Sequence, residues 1–187
     1  MKRSFITIML IAAVASMSFA QTNKTKVDKQ QPKAVFKWYT FEEAYALNQK
    51  NPKKIFIDIF TDWCGWCLKM DNTTFQDTTI RNYMAEHFYP VKFNAERKDT
   101  VRYNGHTYVN PSPNVPRSTH QLALSLLQGQ LSYPSYVMLN EKFELVNTQI
   151  GYKFPKELEA ILHYVAEGAY GKISFEKYSQ SFKGTIQ

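Results

Sequence analysis

Cysteine is scarce in this chain of 187 residues, which has only two, Cys64 and Cys67. A second cysteine pair is lacking, which argues against a four-ligand zinc site. Leu68 follows Cys67 where covalent haem attachment would need a histidine. A disulfide across so short a loop removes little entropy from the unfolded chain, so it makes a poor structural crosslink. The pair is therefore predicted to be reactive rather than structural.

Long apolar segments are also lacking, and none after position 20 is predicted to cross a membrane. Residues 1–20 combine a basic start, an apolar run too short to span a bilayer comfortably, and small residues before position 21. This layout is typical of a secretory signal peptide that is cleaved before Gln21. We therefore expect a periplasmic or secreted mature protein without membrane insertion, in a compartment that permits disulfides.

The excess of positive charge is modest and local. The formal net charge of +7 becomes +5 without residues 1–20, because that segment holds two basic residues and no acidic one. Much of the remainder lies in the polar, lysine-rich residues 21–34, which are predicted to form a flexible leader. No nucleic-acid motif accompanies these lysines, so nucleic acid is not an expected partner.

Short β-prone segments alternate with helical patterns over residues 35–170, which predicts an α/β fold with a central mixed sheet flanked by helices. The predicted strands are 35–39, 55–60, 89–95, 135–140 and 144–150. Helices are predicted to begin at the caps Thr40, Asp77 and Ser118, at Pro155, and directly after the first cysteine.

Residues 96–117 interrupt this alternation. The dipeptide Asn104–Gly105 between β-prone runs is a strong hairpin signal, and three prolines after it exclude a helix. We expect a peripheral insert, which either forms a wall beside the substrate or plays no part in binding. Residues 171–187 are interpreted as a C-terminal extension that packs as a short helix.

The two cysteines lie where a buried strand runs into a helix. A thiolate at a helix start is stabilised by unpaired backbone N–H groups and the helix dipole. Cys64 is therefore predicted to be the nucleophile that forms a mixed disulfide, and Cys67, one helical turn later, the thiol that resolves it. Capture of Cu(I) by both cysteines and Met70 is a minor alternative, because soft ligands suit that ion. Packing of Met70 in the hydrophobic core is the simpler interpretation.

Residues 55–70 resemble the active-site strand and helix of the thioredoxin superfamily, with Trp63 before the first cysteine and Asp58 in the preceding strand. Tyr133–Pro134 before a later strand is similar to the cis-proline loop of that family. The resemblance covers residues 35–170 and favours exported members, such as the C-terminal domain of the transporter DsbD. It implies a thioredoxin fold that needs no cofactor or metal besides the redox-active disulfide.

The resemblance also implies roles for individual residues. Asp58 would assist proton transfer at Cys67, and an acid in an apolar strand is costly unless it is paired or functional. Lys92 matches a lysine near that acid, although a solvated lysine at a strand end is an equal alternative. Pro134 would follow a cis peptide bond. The predicted substrate contacts are Trp63, Gly65, Trp66, Tyr133 and Pro134.

The leading functional hypothesis is an exported dithiol reductase or reductant relay. Its partners would be protein disulfides and an upstream redox donor, and a monomer is the default expectation. Two alternatives remain open, a disulfide oxidase or isomerase and a non-enzymatic binding or metal-delivery module. The Gly65–Trp66 pair differs from the Gly-Pro of common thioredoxin, and the fold alone does not choose between these functions.

Overall fold

The computed structural model describes residues 35–186. The predicted signal peptide 1–20 and leader 21–34 lie outside the described residues. Within residues 35–186, no helix is both long enough and apolar enough to cross a membrane.

Six helices and six strands make up the described part of the chain. The helices are α1 (Phe41–Asn48), α2 (Gly65–Asn72), α3 (Thr78–His87), α4 (Gln121–Leu126), α5 (Pro155–Ala166) and α6 (Phe175–Ser181). The strands are β1 (Lys54–Phe60), β2 (Phe88–Asn94), β3 (Val101–Tyr103), β4 (His106–Tyr108), β5 (Ser135–Leu139) and β6 (Leu145–Ile150).

Four of these strands form the central sheet, in the order β2-β1-β5-β6. β1 pairs parallel with β2, while β5 is antiparallel to both β1 and β6. The predicted mixed sheet is thus confirmed. The register of the parallel pair sets Asp58 of β1 beside Lys92 of β2, although the two residues are 34 positions apart in the chain.

Apolar side chains cover both faces of β1, which explains why its sequence is a nearly continuous apolar run. One core cluster packs α1 and α4 on one face of the sheet, and the other packs α3 and α5 on the opposite face. Alternate β1 residues supply the two clusters, since Ile57 belongs to the first and Phe56 to the second. This two-sided core holds β1 in place, and the cysteines follow its carboxyl end.

Three helices begin at the residues whose local side-chain chemistry predicted a helix start. Thr40 accepts a hydrogen bond from the N–H of Glu43, and the Glu43 carboxylate accepts one from the N–H of Thr40. Asp77 likewise caps α3, and Pro155 occupies the first position of α5.

Two predicted elements differ from the structure. Residues 35–39 are not a strand, because Tyr39 alone makes a bridge to Val91 of β2. α4 begins after His120 rather than after Ser118. The Ser118 hydroxyl donates to Asn110 at 2.6 Å, whereas the His120 ring nitrogen accepts from the N–H of Leu122 at 3.1 Å. The imidazole therefore supplies the cap that the serine was expected to provide.

The insert and the C-terminal extension both pack against the domain. β3 and β4 form a separate hairpin, whose turn at Asn104–Gly105 has positive φ at both residues. At the C-terminus, the buried Glu159 carboxylate of α5 accepts hydrogen bonds from Thr185 and from the N–H of Ile186. These contacts hold the end of the described chain against α5.

Candidate active site

The two cysteines form a disulfide at the N-terminus of α2. Cys64 is the N-cap residue, and its sulfur accepts a hydrogen bond from the N–H of Cys67 at 3.1 Å. The same orientation would stabilise a thiolate on Cys64 after reduction, because free N–H groups and the helix dipole favour an anion at a helix start. Cys67, at 3% exposure, is more deeply buried than Cys64, at 8%.

Asp58 is a buried carboxylic acid in the strand that leads to the cysteines. Its side chain is 1% exposed, and one oxygen accepts a hydrogen bond from Lys92 Nζ at 2.6 Å. The other oxygen, Oδ1, has no hydrogen-bond partner in the described part of the chain. Burial raises the pKa of Asp58 to about 6, and the positive charge of Lys92 opposes that rise. The carboxyl can therefore gain or lose a proton near neutral pH.

Lys92 also contacts a second carboxylate, that of Asp71 on α2. The aromatic rings of Trp38, Phe60 and Phe75 surround the Lys92 ammonium, with ring centroids 4.9 to 5.4 Å from Nζ. The alternative of a freely solvated Lys92 is thereby excluded. Asp71 was not predicted as a site residue. It stands four residues after Cys67, and this spacing of one helical turn could have indicated that the two residues share a face of α2.

The loop before β5 lies beside the cysteine helix. The Tyr133–Pro134 peptide bond is cis, and the Pro134 carbonyl accepts a hydrogen bond from the N–H of Gly151 at 2.8 Å. Gly151 has a φ of +81°, a conformation that favours glycine. The Tyr133 ring lies edge-on to Trp63, with 5.9 Å between ring centroids. The loop and the residue before the first cysteine thus form one surface.

A family model named Thioredox_DsbH, described as a protein of unknown function, DUF255, matches residues 19–148. This chain belongs to the Thioredox_DsbH family. The matched range contains both cysteines, Asp58, Lys92 and the cis-proline loop.

Relatives of this Thioredox_DsbH member differ widely in length. Disulfide bond reductase DsbH of Chlamydia pneumoniae is 22% identical over 100 residues, which cover 51% of this chain and 60% of that protein. Human spermatogenesis-associated protein 20 is 32% identical over 65 residues, which cover 34% of this chain and 8% of that protein. The chain therefore spans less than two thirds of the length of each of these relatives.

A solved structure shows the same fold. A thioredoxin-fold protein from Helicobacter pylori superposes with a TM-score of 0.55 at 16% identity, covering 70% of this chain and 84% of that one. The predicted thioredoxin fold is thus confirmed.

The ends of the insert reach the candidate site in this family member. The Trp63 indole N–H donates a hydrogen bond to a Glu96 carboxylate oxygen at 2.7 Å. The Arg117 guanidinium lies 5.0 Å from the centroid of the Trp63 ring. Glu96 and Arg117 were not predicted as site residues, because nothing in the sequence indicates which side chain they meet.

An open, mostly apolar groove of about 390 Å³ lies beside the cysteine helix and the cis-proline loop. It is lined by Trp66, Lys69, Tyr133, Pro134, Gly151, Tyr152 and Phe154. Of the predicted contact residues, Trp66, Tyr133 and Pro134 line this groove, Trp63 lies on the insert side, and Gly65 is exposed between the cysteines. Tyr152 and Phe154 were not predicted, since they follow β6, far from the cysteines in sequence.

Metal-binding groups do not cluster in residues 35–186, where no three His, Cys, Asp or Glu side chains could hold an ion together. Met70, the third ligand of the copper alternative, is fully buried. Its sulfur accepts the N–H of Lys153 at 3.4 Å, so it is already engaged in packing and hydrogen bonding.

Proposed function

We propose that this chain is an exported thiol–disulfide oxidoreductase that acts as a dithiol reductase or reductant relay on protein disulfides. The observation that carries the proposal is the Cys64–Cys67 pair at a helix start, directly after the strand that holds Asp58. The name of the chlamydial relative favours the reducing direction. The signal-peptide pattern favours a periplasmic or secreted location, which the mass of a mature protein beginning at Gln21 checks.

The first step starts from the reduced protein. The Cys64 thiolate attacks one sulfur of a substrate disulfide, a new sulfur–sulfur bond forms, and the other substrate sulfur leaves as a thiolate. In the second step, the Cys67 thiolate attacks the Cys64 sulfur and releases the remaining substrate thiolate. The substrate gains two electrons, and the protein loses two and returns to the Cys64–Cys67 disulfide. An upstream dithiol donor then reduces it again.

Asp58 is proposed to accept the Cys67 proton during the second step. Cys67 is nearly inaccessible to water, so a base within the protein is needed to form its thiolate. A carboxylate with a pKa of about 6 is suited to that role, because it is mostly ionised at neutral pH and still basic enough to accept a proton. Lys92 would hold the carboxylate through its 2.6 Å contact.

The substrate chain is proposed to bind across the cis-proline loop, with the groove on one side and Trp63 on the other. Trp66 is 57% exposed and Phe154 is 61% exposed, so both offer apolar surface to a partner. The proposed substrate contacts are Trp63, Gly65, Trp66, Tyr133 and Pro134. The proposed partners are protein disulfides and a redox donor, and the protein is proposed to act as a monomer.

The reduction potential of the Cys64–Cys67 couple tests the direction of electron flow. Equilibration with glutathione or dithiothreitol buffers is expected to give a value near that of thioredoxin, about −270 mV. A value near about −120 mV, that of the strongest disulfide oxidants, would support an oxidase or isomerase instead and would remove the reductase assignment. Mass spectrometry of the trapped thiols after each equilibration measures the ratio of the two forms.

Phe154→Ser tests the groove without touching the cysteines. Phe154 is the N-cap residue of α5, and serine is a favoured residue there, so the helix should be retained. We expect KM for a protein disulfide to rise by about fivefold to tenfold, the cost of one lost apolar anchor, with kcat unchanged. Turnover of a small disulfide that does not fill the groove should be unaffected.

Leu124→Ala is the matched control, because Leu124 is an exposed apolar residue on α4 that does not line the groove. Its KM for the protein disulfide should equal that of the wild type. An equal rise in KM for both variants would show that the groove does not bind the substrate.

A further inference from the structure

Lys92 Nζ contacts two carboxylates that come from two different elements. Asp58 lies on β1 and is 1% exposed, whereas Asp71 lies on α2 and is 36% exposed. The Lys92 side chain between them is 20% exposed. One ammonium therefore pairs with a buried acid and a partly exposed acid. The three side chains together carry a net charge of −1 when both acids are ionised.

The surroundings of Asp58 leave Lys92 as its main source of positive charge. The charged and titratable groups that face Asp58 are Lys92 from β2, Asp71 from α2 and the Tyr136 hydroxyl from β5. The Tyr136 hydroxyl is buried without a hydrogen-bond partner in the described residues. Burial, together with the negative charge of Asp58, raises the pKa of Tyr136, so this hydroxyl stays protonated. Cys67 becomes a further titratable group on α2 once the disulfide is reduced.

We propose that Asp71 is a positioning residue for thiol–disulfide exchange, which shares the Lys92 ammonium with Asp58 and so keeps Asp58 basic enough to take the Cys67 proton. This inference rests on the function proposed above. Asp71 would act through Lys92 and would not itself contact the substrate.

The physical reason is competition between two acids for one cation. If Lys92 paired with Asp58 alone, the ion pair would favour the carboxylate and weaken it as a base. The negative charge of Asp71 offsets part of that effect, and it raises the pKa of Asp58 in the same direction as burial does. Asp71 is the more exposed of the two acids, so solvent reaches its carboxylate while the Asp58 carboxylate stays buried.

The proton balance requires a base that works repeatedly. The Asp58 carboxylate takes one proton as the Cys67 thiol becomes a thiolate, and it must release that proton to water before the next turnover. The Lys92 and Asp71 side chains lead from the buried carboxyl towards the surface, as their exposure increases in that order.

The test is Asp71→Asn in the mature protein, read by the pH dependence of the Cys67 step. Reduced protein is mixed with an aromatic disulfide whose released thiolate is coloured, so that release by Cys64 and release by Cys67 appear as two phases. The pH at which the rate of the second phase is half-maximal is expected to fall by about one unit. A change of about this size is expected when a like charge is removed from the neighbourhood of a buried acid. In an NMR titration of the reduced protein, the pH midpoint of the Asp58 carboxyl resonance should fall by the same amount.

Two further variants separate this role from a structural one. Asp71→Glu keeps the charge and should restore the wild-type midpoint. Glu141→Gln removes a carboxylate from another ion pair and should leave the midpoint unchanged. That pair joins Lys54, the first residue of β1, to Glu141 in the turn between β5 and β6, with 2.7 Å between Lys54 Nζ and the Glu141 carboxylate. The Gln76 side chain donates a hydrogen bond to the Asp71 backbone carbonyl, and this contact should persist in both Asp71 variants because it does not involve the Asp71 side chain.

A midpoint that stays the same or rises in Asp71→Asn would overturn the inference, and so would an equal shift in Glu141→Gln. If instead the wild-type protein shows no reaction with any disulfide, the proposed function fails. The NMR titration of Asp58 distinguishes the two failures, because it measures the influence of Asp71 without requiring turnover.

Discussion

Cys67→Ser is expected to stop the reaction at the mixed disulfide and to accumulate a covalent complex with the substrate. Cys64 remains at the helix start, where it can attack, but no thiol is left to release the product. Turnover should fall on the order of 10³-fold or more, since nucleophiles of covalent catalysis have effects of that size or larger. Non-reducing electrophoresis and intact-mass spectrometry would detect the complex.

Cys64→Ser is the informative partner of this variant. It should be equally inactive in turnover but should form no complex, because the buried Cys67 cannot reach a protein substrate. The free energy of unfolding of both reduced variants should stay close to that of the reduced wild type, because the reduced wild type has no disulfide either. Equal amounts of complex with both variants would contradict the assignment of Cys64 as the nucleophile.

Asp58→Asn is expected to stabilise the fold while it slows the chemistry. The pKa of Asp58 is about 6 in the folded protein and has an ordinary value of 3.8. The folded state therefore holds the proton more tightly than the unfolded state does, so stability is lost as the pH rises from about 3.8 to about 6. Asparagine imitates the protonated acid and avoids this loss.

The expected gain in the free energy of unfolding is about 3 kcal/mol at pH 8, from a shift of about two pKa units. It should vanish near pH 3, where the wild-type acid is protonated in both states. Urea unfolding at several pH values measures it. Glu141→Gln, which removes a carboxylate from an exposed pair, should show no comparable gain.

Activity should respond in the opposite direction to stability. Without the Asp58 carboxylate, the Cys67 step is expected to slow by about 10²-fold at pH 7, the lower end of the usual range for a general base. The Cys64 step should change far less. A variant that is neither more stable at pH 8 nor slower in the Cys67 step would show that Asp58 has only a packing role.

Much of the fold was predictable because its signals are local. The capping box of Thr40 and Glu43, the Asp77 cap and the proline at the start of α5 each act within one helical turn. The apolar run of β1 indicated a strand buried on both faces, and the structure confirms it. One of the two wrong predictions reflects a local competition, since His120 rather than Ser118 caps α4.

The candidate site also contains features that the sequence predicts and contacts that it does not. The cysteine pair, the acid in β1 and the proline before β5 could be predicted because each stands in a recognisable stretch of a few residues. The Lys92–Asp71 contact, the Trp63–Glu96 hydrogen bond and the groove beside Phe154 could not. Their partners come from separate helices, strands and loops.

The sequence by itself thus determined the cysteine pair at a helix start, the alternation of strands and helices, and most helix starts, because these depend on neighbouring residues. Only the tertiary structure decided which charges meet at Lys92 and which rings line the groove. Such contacts depend on strand register and helix packing, and a slip of one residue in β2 would turn Lys92 to the other face of the sheet. The packing of the whole core sets the strand register, and no short segment of the sequence specifies that packing.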